Sequence, residues 1–367
     1  MGLKVYYKNA GTDPKGQCYL TSNYYLENAL KTSGMLINSP DEADIIYIQE
    51  NIGGLELFKK YPDKIKVLQM VCSHPDFYCD IYYKELEKFK MMDVRPRNWA
   101  PIRKEEIELA DHILVYSNFT KKTCVDAGVP KEKIVVIPKG VEINFFKPNK
   151  REKNKEFIVG YAGQFQLIKG VQYLPIPNND EEFKLIMCGD KTQYLDEQGK
   201  RSWQLKELFN LFGNTFTDVG KLNKQQMVDF YNKCDVIVVP SLEDSFAMTV
   251  LEALSCDVPV ITTTNTGASE LLTHHKNGSI TPIKDPEAIL TEIEYWMSHK
   301  AKDCRKTAMK HSMNKYMVDI LNALRKFYFK TESISVDKFI DCITENTGDK
   351  IKEDLKKIYQ ESSKHKR

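Results

Sequence analysis

Cys234–Leu271 reads CDVIVVPSLEDSFAMTVLEALSCDVPVITTTNTGASEL, with strand, loop, helix and strand in immediate succession. Asp235–Pro240 is a short β-branched run of the kind buried on both faces of a parallel sheet. Ser241–Ser245 is a polar loop. Phe246–Ser255 carries good helix formers, and Met248, Leu251 and Leu254 lie one helical turn apart. Pro259–Thr264 is the returning strand, and a helix between parallel strands makes a right-handed βαβ unit. Ligands of open α/β sheets sit at the carboxyl ends of strands, where helix N-termini point. The N–H groups of Phe246, Ala247 and Met248 are therefore expected to face a ligand and to favour a phosphate. Asp244 lies just before the helix and Glu252 well inside it. Facing the same ligand, these carboxylates would accept hydrogen bonds from paired sugar hydroxyls beside the phosphate, which suits a nucleotide-sugar. The residues alone equally allow Asp244 as a helix-terminal charge and Glu252 as a solvated surface acid.

The segment resembles the donor site of the GT-B retaining glycosyltransferases of family 4. Their pattern runs P-S, then E-x7-E around a G-F-G helix start, then E-A-x-A-C-G-x-P-V and G-G-x-x-E. Pro240–Ser241, Phe246, Glu252–Ala253, Cys256, Pro259–Val260, Gly267 and Glu270 fall in register. Asp244 stands where the first Glu is expected, Ser245 where Gly is common, and Asp257 where Gly follows the Cys. Asp for Glu keeps the charge and shortens the reach by one methylene.

At 367 residues the chain has room for two cores. With 28% charged and 11% aromatic residues it reads as an ordinary globular protein, and a net charge of +2 makes no global case for nucleic acid. No apolar run has the length of a membrane span, and MGLKVYYKN enters a strand without a secretory h-region. Nine cysteines without a C-x-x-C pair point to reduced thiols and a cytoplasmic setting. No H-E-x-x-H or Cys/His cluster argues for a metal.

From the N-terminus, Lys4–Lys8 reads as a strand, followed by a loop with Gly11 and Gly16 and a helix at about Tyr19–Thr32. On its residues alone that loop can bring backbone close to an anion, but a plain turn is the preferred reading. Apolar runs at Ala43–Gln49, Ile65–Val71 and His112–Ser117 continue a Rossmann-like alternation, but no G-x-G-x-x-G follows any strand, which disfavours a dinucleotide enzyme. His74 follows the second of these runs, placed for catalysis or for simple packing. Lys84, Lys88, Phe89, Lys90, Arg95, Arg97, Trp99 and Arg103 interleave basic and aromatic residues; a solvated helix face and loop is preferred over acceptor or anionic-membrane contact. Glu108–Pro148 again resembles family 4, whose v-I-P-N-G-V-D-x-x-x-F-x-P is matched at Ile137–Pro138, Gly140–Val141, Phe146 and Pro148, with Lys139 for Asn and Glu142 for Asp. Asn149–Glu156, NKREKNKE, reads as a linker.

Phe157–Tyr161 opens the second half as a strand. The family pattern v-G-R-x-x-x-x-K-G then falls on Gly163, Gln164, Lys169 and Gly170, with Gln164 in the place of the arginine. A neutral amide donates hydrogen bonds but supplies no charge. Phe183–Gly189 is a strand ending like the family's v-G-x-G. Phe216–Lys221, with Val219, resembles the loop that seats the base by backbone contacts. Lys224–Asn232, Asp285–His299 and Ala308–Phe329 read as helices, and Ile351, Leu355, Ile358 and Tyr359 form a stripe on a further terminal helix.

The resemblance implies an α/β GT-B protein of two Rossmann-like domains whose parallel sheets face an interdomain cleft. Residues 1–150 would be the acceptor-side domain, 151–310 the donor domain, 311–330 a helix returning to the first domain, and 331–367 an extra helical tail. It implies retaining transfer of a sugar from a nucleoside diphosphate to an unidentified glycan, lipid or small molecule. Neither a cofactor nor a metal is implied. Lys169, His74 and Asp244 would be catalytic. Gly11, Gly163, Gln164, Lys169, Gly189, Val219, Ser245, Phe246, Ala247, Met248 and Glu252 would bind the donor. Peripheral membrane contact stays open. The rivals are a degenerate GT-B binding protein, motivated by Gln164 and Asp244, and a glycosyltransferase acting on nucleic acid, suggested only by the basic-aromatic stretch.

Overall fold

β-Branched runs a helix apart can bury both faces only by pairing in parallel, and that is how the chain folds. A computed structural model describes residues 2–13, 18–50, 52–90, 98–149, 156–177, 183–190 and 215–330. Most of the expected linker, together with Gly16, Arg95, Arg97 and the tail 331–367, lies outside the described residues.

The first sheet is formed by β1 (Val5–Lys8), β2 (Leu36–Ile37), β3 (Ile45–Gln49), β4 (Ile65–Gln69), β5 (His112–Val115) and β6 (Ile134–Val136), in the order β2-β1-β3-β4-β5-β6, every pair parallel. Its connections carry α1 (Cys18–Thr32), α2 (Gly54–Lys60), α3 (Pro75–Lys88), α4 (Trp99–Leu109) and α5 (Asn118–Asp126). Ile46, Ile48, Leu68, Ile113 and Val115 form its core. The second sheet takes β7 (Phe157–Ala162), β8 (Phe183–Cys188), β9 (Phe216–Gly220), β10 (Val236–Val239), β11 (Val260–Thr263) and β12 (Gly278–Thr281), also parallel, in the order β9-β8-β7-β10-β11-β12. Around it lie α6 (Lys224–Lys233), α7 (Met248–Ser255), α8 (Pro286–Ser298) and α9 (Cys304–Met309), and α10 (Met313–Phe329) follows. Asn223 and Gln226 form a capping box on α6, and Asp285 caps α8. No described helix is long and apolar enough to cross a membrane. Cys124, Cys188, Cys256 and Cys304 are free thiols whose pKa burial pushes up to about 12, so they pack as inert small hydrophobes.

Three elements differ from their sequence reading. Phe216–Gly220 is an edge strand rather than a loop, because its backbone pairs with β8. Ala308–Phe329 is two helices: the Ser312 side chain accepts the N–H of Lys315 and starts α10 afresh. Phe77–Val94 groups with the second sheet's unit, which otherwise runs Ile143–Ala308, while the first unit draws on Met1–Asp76, Arg95–Glu142 and α10.

Arg103 is no part of a solvated face. It and Glu50 are 1% and 2% exposed and form a buried ion pair. Its Nη2 donates to the Ser73 carbonyl (3.0 Å), and the Trp99 ring lies 4.4 Å from its guanidinium. The other Glu50 oxygen accepts the N–H groups of Val71 (2.9 Å) and Cys72 (3.3 Å). A charge at position 103 is tolerated inside because it is matched there, and the match fixes the chain that follows β4. Arg103→Ala, which strands the Glu50 carboxylate, is expected to cost about 3–5 kcal/mol in a denaturation experiment. Glu50→Leu with Arg103→Met, which removes both charges, is expected to cost less.

Candidate functional site

In the second sheet β7 and β10 are neighbours, but the chain proceeds to β8 on one side and β11 on the other. Their carboxyl ends therefore diverge, leaving the crevice where such sheets bind ligands. Two loops border it, and they interlock. Leu242 N–H donates to the Ile168 carbonyl (2.9 Å). Gly170 has φ +69°, and a Cβ there would lie 1.8 Å from the Pro240 carbonyl oxygen, so only glycine lets the strands' loops meet. The ends of β8 and β9 join the same surface. Gly163 N–H donates to Cys188 O (3.1 Å), Phe165 N–H to Asp190 O (3.1 Å) and Gly189 N–H to Gly220 O (3.0 Å). A Cβ on Gly189 would meet the Gly163 carbonyl oxygen at 1.7 Å.

Lys169 ends a 3-10 turn, Leu167–Lys169, rather than starting a helix. Its Nζ lies 2.7 Å from Asp244 Oδ2, so two expected site residues meet as an ion pair. Asp244 Oδ1 accepts the N–H groups of Phe246 (3.1 Å) and Ala247 (2.6 Å). Burial pushes the Asp244 carboxyl up, but Lys169 and these two N–H groups outweigh it and hold it below the usual range. Of the three N–H groups expected to face a phosphate, those of Phe246 and Ala247 are taken by Asp244, inside the loop, and the expectation is corrected for these two. Ala247 adopts φ +61°, a left-handed conformation that glycine, as in G-F-G, reaches without a Cβ penalty. Ser245 and Phe246 are buried, and Met248 is half-buried at the start of α7.

Gln164 accepts through its carbonyl from Tyr161 OH (2.7 Å), while its side-chain amide makes no hydrogen bond to the described residues. Val219 is 38% exposed on β9. Glu252 Oε2 accepts the Tyr231 hydroxyl at 2.7 Å, so one of the two oxygens meant for a sugar diol already has a protein partner.

Gly11 and His74 belong to the first unit. Gly11 turns the chain after β1: its N–H donates to Asn9 Oδ1 (2.8 Å) and its carbonyl accepts from Asn23 (3.0 Å). His74 is 4% exposed. Its N–H donates to Thr123 Oγ1 (3.0 Å), and its Nδ1 accepts the Asp76 N–H (3.3 Å) as α3 begins. Burial lowers its pKa, with Lys104 and Arg103 acting in the same direction against Asp76.

Sequence reasoning missed Glu85 of α3. It is 1% exposed and pairs with Lys284 Nζ at 2.6 Å. It also accepts from Tyr173 OH (3.0 Å) and Gln172 Nε2 (3.0 Å). Gln172 Nε2 donates in turn to the Leu167 carbonyl (3.0 Å), so Glu85 is linked through Gln172 to the start of the turn that carries Lys169. Gln172, Tyr173 and Lys284 lie 87 to 199 positions away in sequence, and the one local signal was a lone acid on an apolar helix face.

Elsewhere His274, His275 and Glu292 bring metal-ligating atoms within 4.8 Å of one another on an exposed surface. His274 Nδ1 accepts the Ile280 N–H (3.2 Å), which leaves its ring proton on Nε2 toward Glu292. The arrangement is a hydrogen-bonded cluster with its nearest lone pair already used.

Glu85→Ala leaves Lys284, Tyr173 and Gln172 without their shared acceptor and is expected to destabilise by about 1–3 kcal/mol. Urea denaturation checks this. His74, His112 and His311 all have pKa values lowered chiefly by burial. Their stabilising contribution is complete above the unfolded-state value of about 6.5 and is lost as pH falls through the lower folded values, because only the unfolded chain takes up the protons. Melting temperature is therefore expected to fall between neutral pH and mildly acidic pH, and His74→Asn is expected to flatten that slope.

The comparisons with known proteins bear on this geometry. An uncharacterised 41.2 kDa protein in the cps region of Klebsiella pneumoniae is 24% identical over 243 residues, 59% of this chain and 62% of the relative. A D-inositol 3-phosphate glycosyltransferase of Pseudarthrobacter chlorophenolicus is 24% identical over 212 residues, 53% of this chain and 46% of the relative. The chain thus spans about half to three-fifths of the length of these relatives. Among solved structures, sucrose-phosphate synthase of Thermosynechococcus elongatus superposes with a TM-score of 0.71 at 16% identity, covering 90% of this chain and 100% of that one. Anabaena HepE in complex with UDP and glucose superposes with a TM-score of 0.64 at 15% identity, covering 89% and 100%. At such identities the likeness is one of fold, and the fold is GT-B, two Rossmann-like α/β units with parallel sheets. Residues 142–312, which hold Lys169, Asp244, Glu252 and the loops around them, match the model of the family described as Glycosyl transferases group 1.

Proposed function

We propose that this chain is a retaining glycosyltransferase of family 4 that moves a sugar from a nucleoside diphosphate to a glycan, lipid or small-molecule acceptor. The observation that carries the reading is the Lys169–Asp244 pair at the divergence of β7 and β10. An ammonium held there by a carboxylate is a cation in waiting: an arriving diphosphate offers it more charge than Asp244 does. Asp244, displaced from Lys169 but still held by the N–H groups of Phe246 and Ala247, is then available to accept from sugar hydroxyls. Anabaena HepE, of the same fold, was crystallised with UDP and glucose, which supports a nucleoside diphosphate as the ligand class.

The chemistry asks little of side-chain bases. The bond from the anomeric carbon to the diphosphate oxygen breaks as the acceptor oxygen approaches on the same face, and the departing diphosphate takes the acceptor's proton. Lys169 stabilises the charge that builds on the leaving group, and Gln164 adds a neutral donor. Glu252 binds the ribose, and His74 acts as a hydrogen-bonding partner near the reacting centre. The scheme calls for no cofactor and no metal, and it suits a cytoplasmic protein. Gln164 in the arginine's place, with Lys169 already engaged, favours one second reading: a GT-B binding protein that holds the donor without turning it over.

Lys169→Ala is expected to lower kcat with a UDP-sugar donor by about 10²–10³ while the melting temperature stays close to wild type. Wild-type turnover in the folded variant would overturn the role of Lys169. UDP binding without transfer or donor hydrolysis by the wild type would select the binding-protein reading. Glu252→Ala is expected to weaken UDP binding by about 1.5–3 kcal/mol in calorimetry. The anomeric configuration of the product, read by NMR, checks retention.

A further inference from the structure

Lys139 breaks a rule that every other deeply buried charge described above obeys. It is 7% exposed, yet among the described residues its ammonium has neither a carboxylate nor a hydrogen-bond acceptor. Arg103 has Glu50, and Glu85 has Lys284. What Lys139 has is the face of Tyr116, with Nζ 4.5 Å from the ring centroid. A cation over a tyrosine ring is attracted to it, but the ring does not neutralise the charge. The polar groups behind the ring are neutral as well. Tyr116 is hydrogen-bonded to Tyr316, whose hydroxyl accepts from Gln69 Nε2 (2.9 Å), and Tyr47 OH donates to Gln69 Oε1 (2.5 Å). Glu142, the acid nearest in sequence, accepts from Tyr25 OH at 2.8 Å.

The position is also the right one for a ligand. Lys139 follows β6 and Tyr116 follows β5, adjacent parallel strands, so both stand at the carboxyl edge of the first sheet. The Pro-Lys-Gly turn has Asn in this place in the pattern it otherwise matches, so the charge belongs to this chain rather than to the pattern. The stem is buried while Nζ keeps contact with solvent, so an anion can reach an ammonium that no carboxylate among the described residues neutralises.

We propose that Lys139 is an anion-binding residue of the first unit, and that the acceptor carries a phosphate or carboxylate group whose charge Lys139 neutralises. The word acceptor rests on the glycosyltransferase reading; the anion site does not.

The test uses the full chain, with inorganic phosphate and acetate as probes, each compared with chloride at matched ionic strength to remove general screening. Phosphate or acetate is expected to raise the wild-type melting temperature by a few degrees above the chloride control, and the preferred ion tells phosphate from carboxylate. Lys139→Met keeps the stem's volume and removes the charge. It is expected to melt no lower than wild type in chloride and to lose the anion increment. Should that variant fail to fold, reductive methylation of the wild type, read by mass spectrometry, replaces it: the anion is expected to slow labelling of Lys139. The absence of an increment from both anions overturns the proposal, as does an increment that persists in Lys139→Met, or labelling of Lys139 that neither anion slows. UDP calorimetry on Lys139→Met is expected to match wild type. Weakened UDP binding would assign Lys139 to the donor and overturn the acceptor assignment, whereas a wild type that binds no UDP would fail the donor reading and leave the anion result standing.

Discussion

The contact of the Gly170 backbone with the Pro240 carbonyl is the constraint on which the second unit's site depends. Parallel strands deliver their following loops to one edge, and at β7 and β10 those loops leave in opposite directions. Without a close approach the two would be independent surface turns. With Gly170 seated against Pro240, and Leu242 bonded to Ile168, the turn bearing Lys169 and the loop bearing Asp244 become one piece. The ion pair between them follows from that geometry, and so does the lowered pKa of Asp244, since two backbone N–H groups and an ammonium converge on one carboxylate.

Buried charges do the long-range fastening in both units. In the first, Glu50 at the end of β3 and Arg103 in α4 fix the chain Val71–Ser73 that leads to His74. In the second, Glu85 fastens α3 to the turn that carries Lys169. Each pair is costly to desolvate and is retained with every charge matched, which makes it a device for specificity of arrangement more than for net stability. Lys139, buried over Tyr116 with no counter-charge among the described residues, stands apart for that reason.

The strands were legible because burial on both faces demands β-branched runs. Val236–Val239 and Ile45–Gln49 needed nothing beyond their own side chains to be recognised. Lys169, Asp244 and Glu252 stood out because their motifs are local and in register. Glu85 and Arg103 did not, because a charge on a helix has the same sequence signature whether it meets solvent or a partner 50 to 200 positions away. The split between α9 and α10 was hidden for a similar reason: Ser312 reads as a cap only once the turn before it has formed.

The sequence by itself determined a parallel α/β architecture, the placing of a Gly-rich loop and a helix start at strand ends, and which residues carry charge there. Those are consequences of side-chain shape and of hydrophobic runs along a few consecutive residues. Only the tertiary structure decided what the charges meet. It paired Lys169 with Asp244 instead of leaving both open, gave the N–H groups of Phe246 and Ala247 to that same carboxylate, and joined Glu252 to Tyr231. The reason is that an electrostatic or hydrogen-bond partner is chosen by distance in space, and distance in space is set by strand order, which no local stretch of sequence contains.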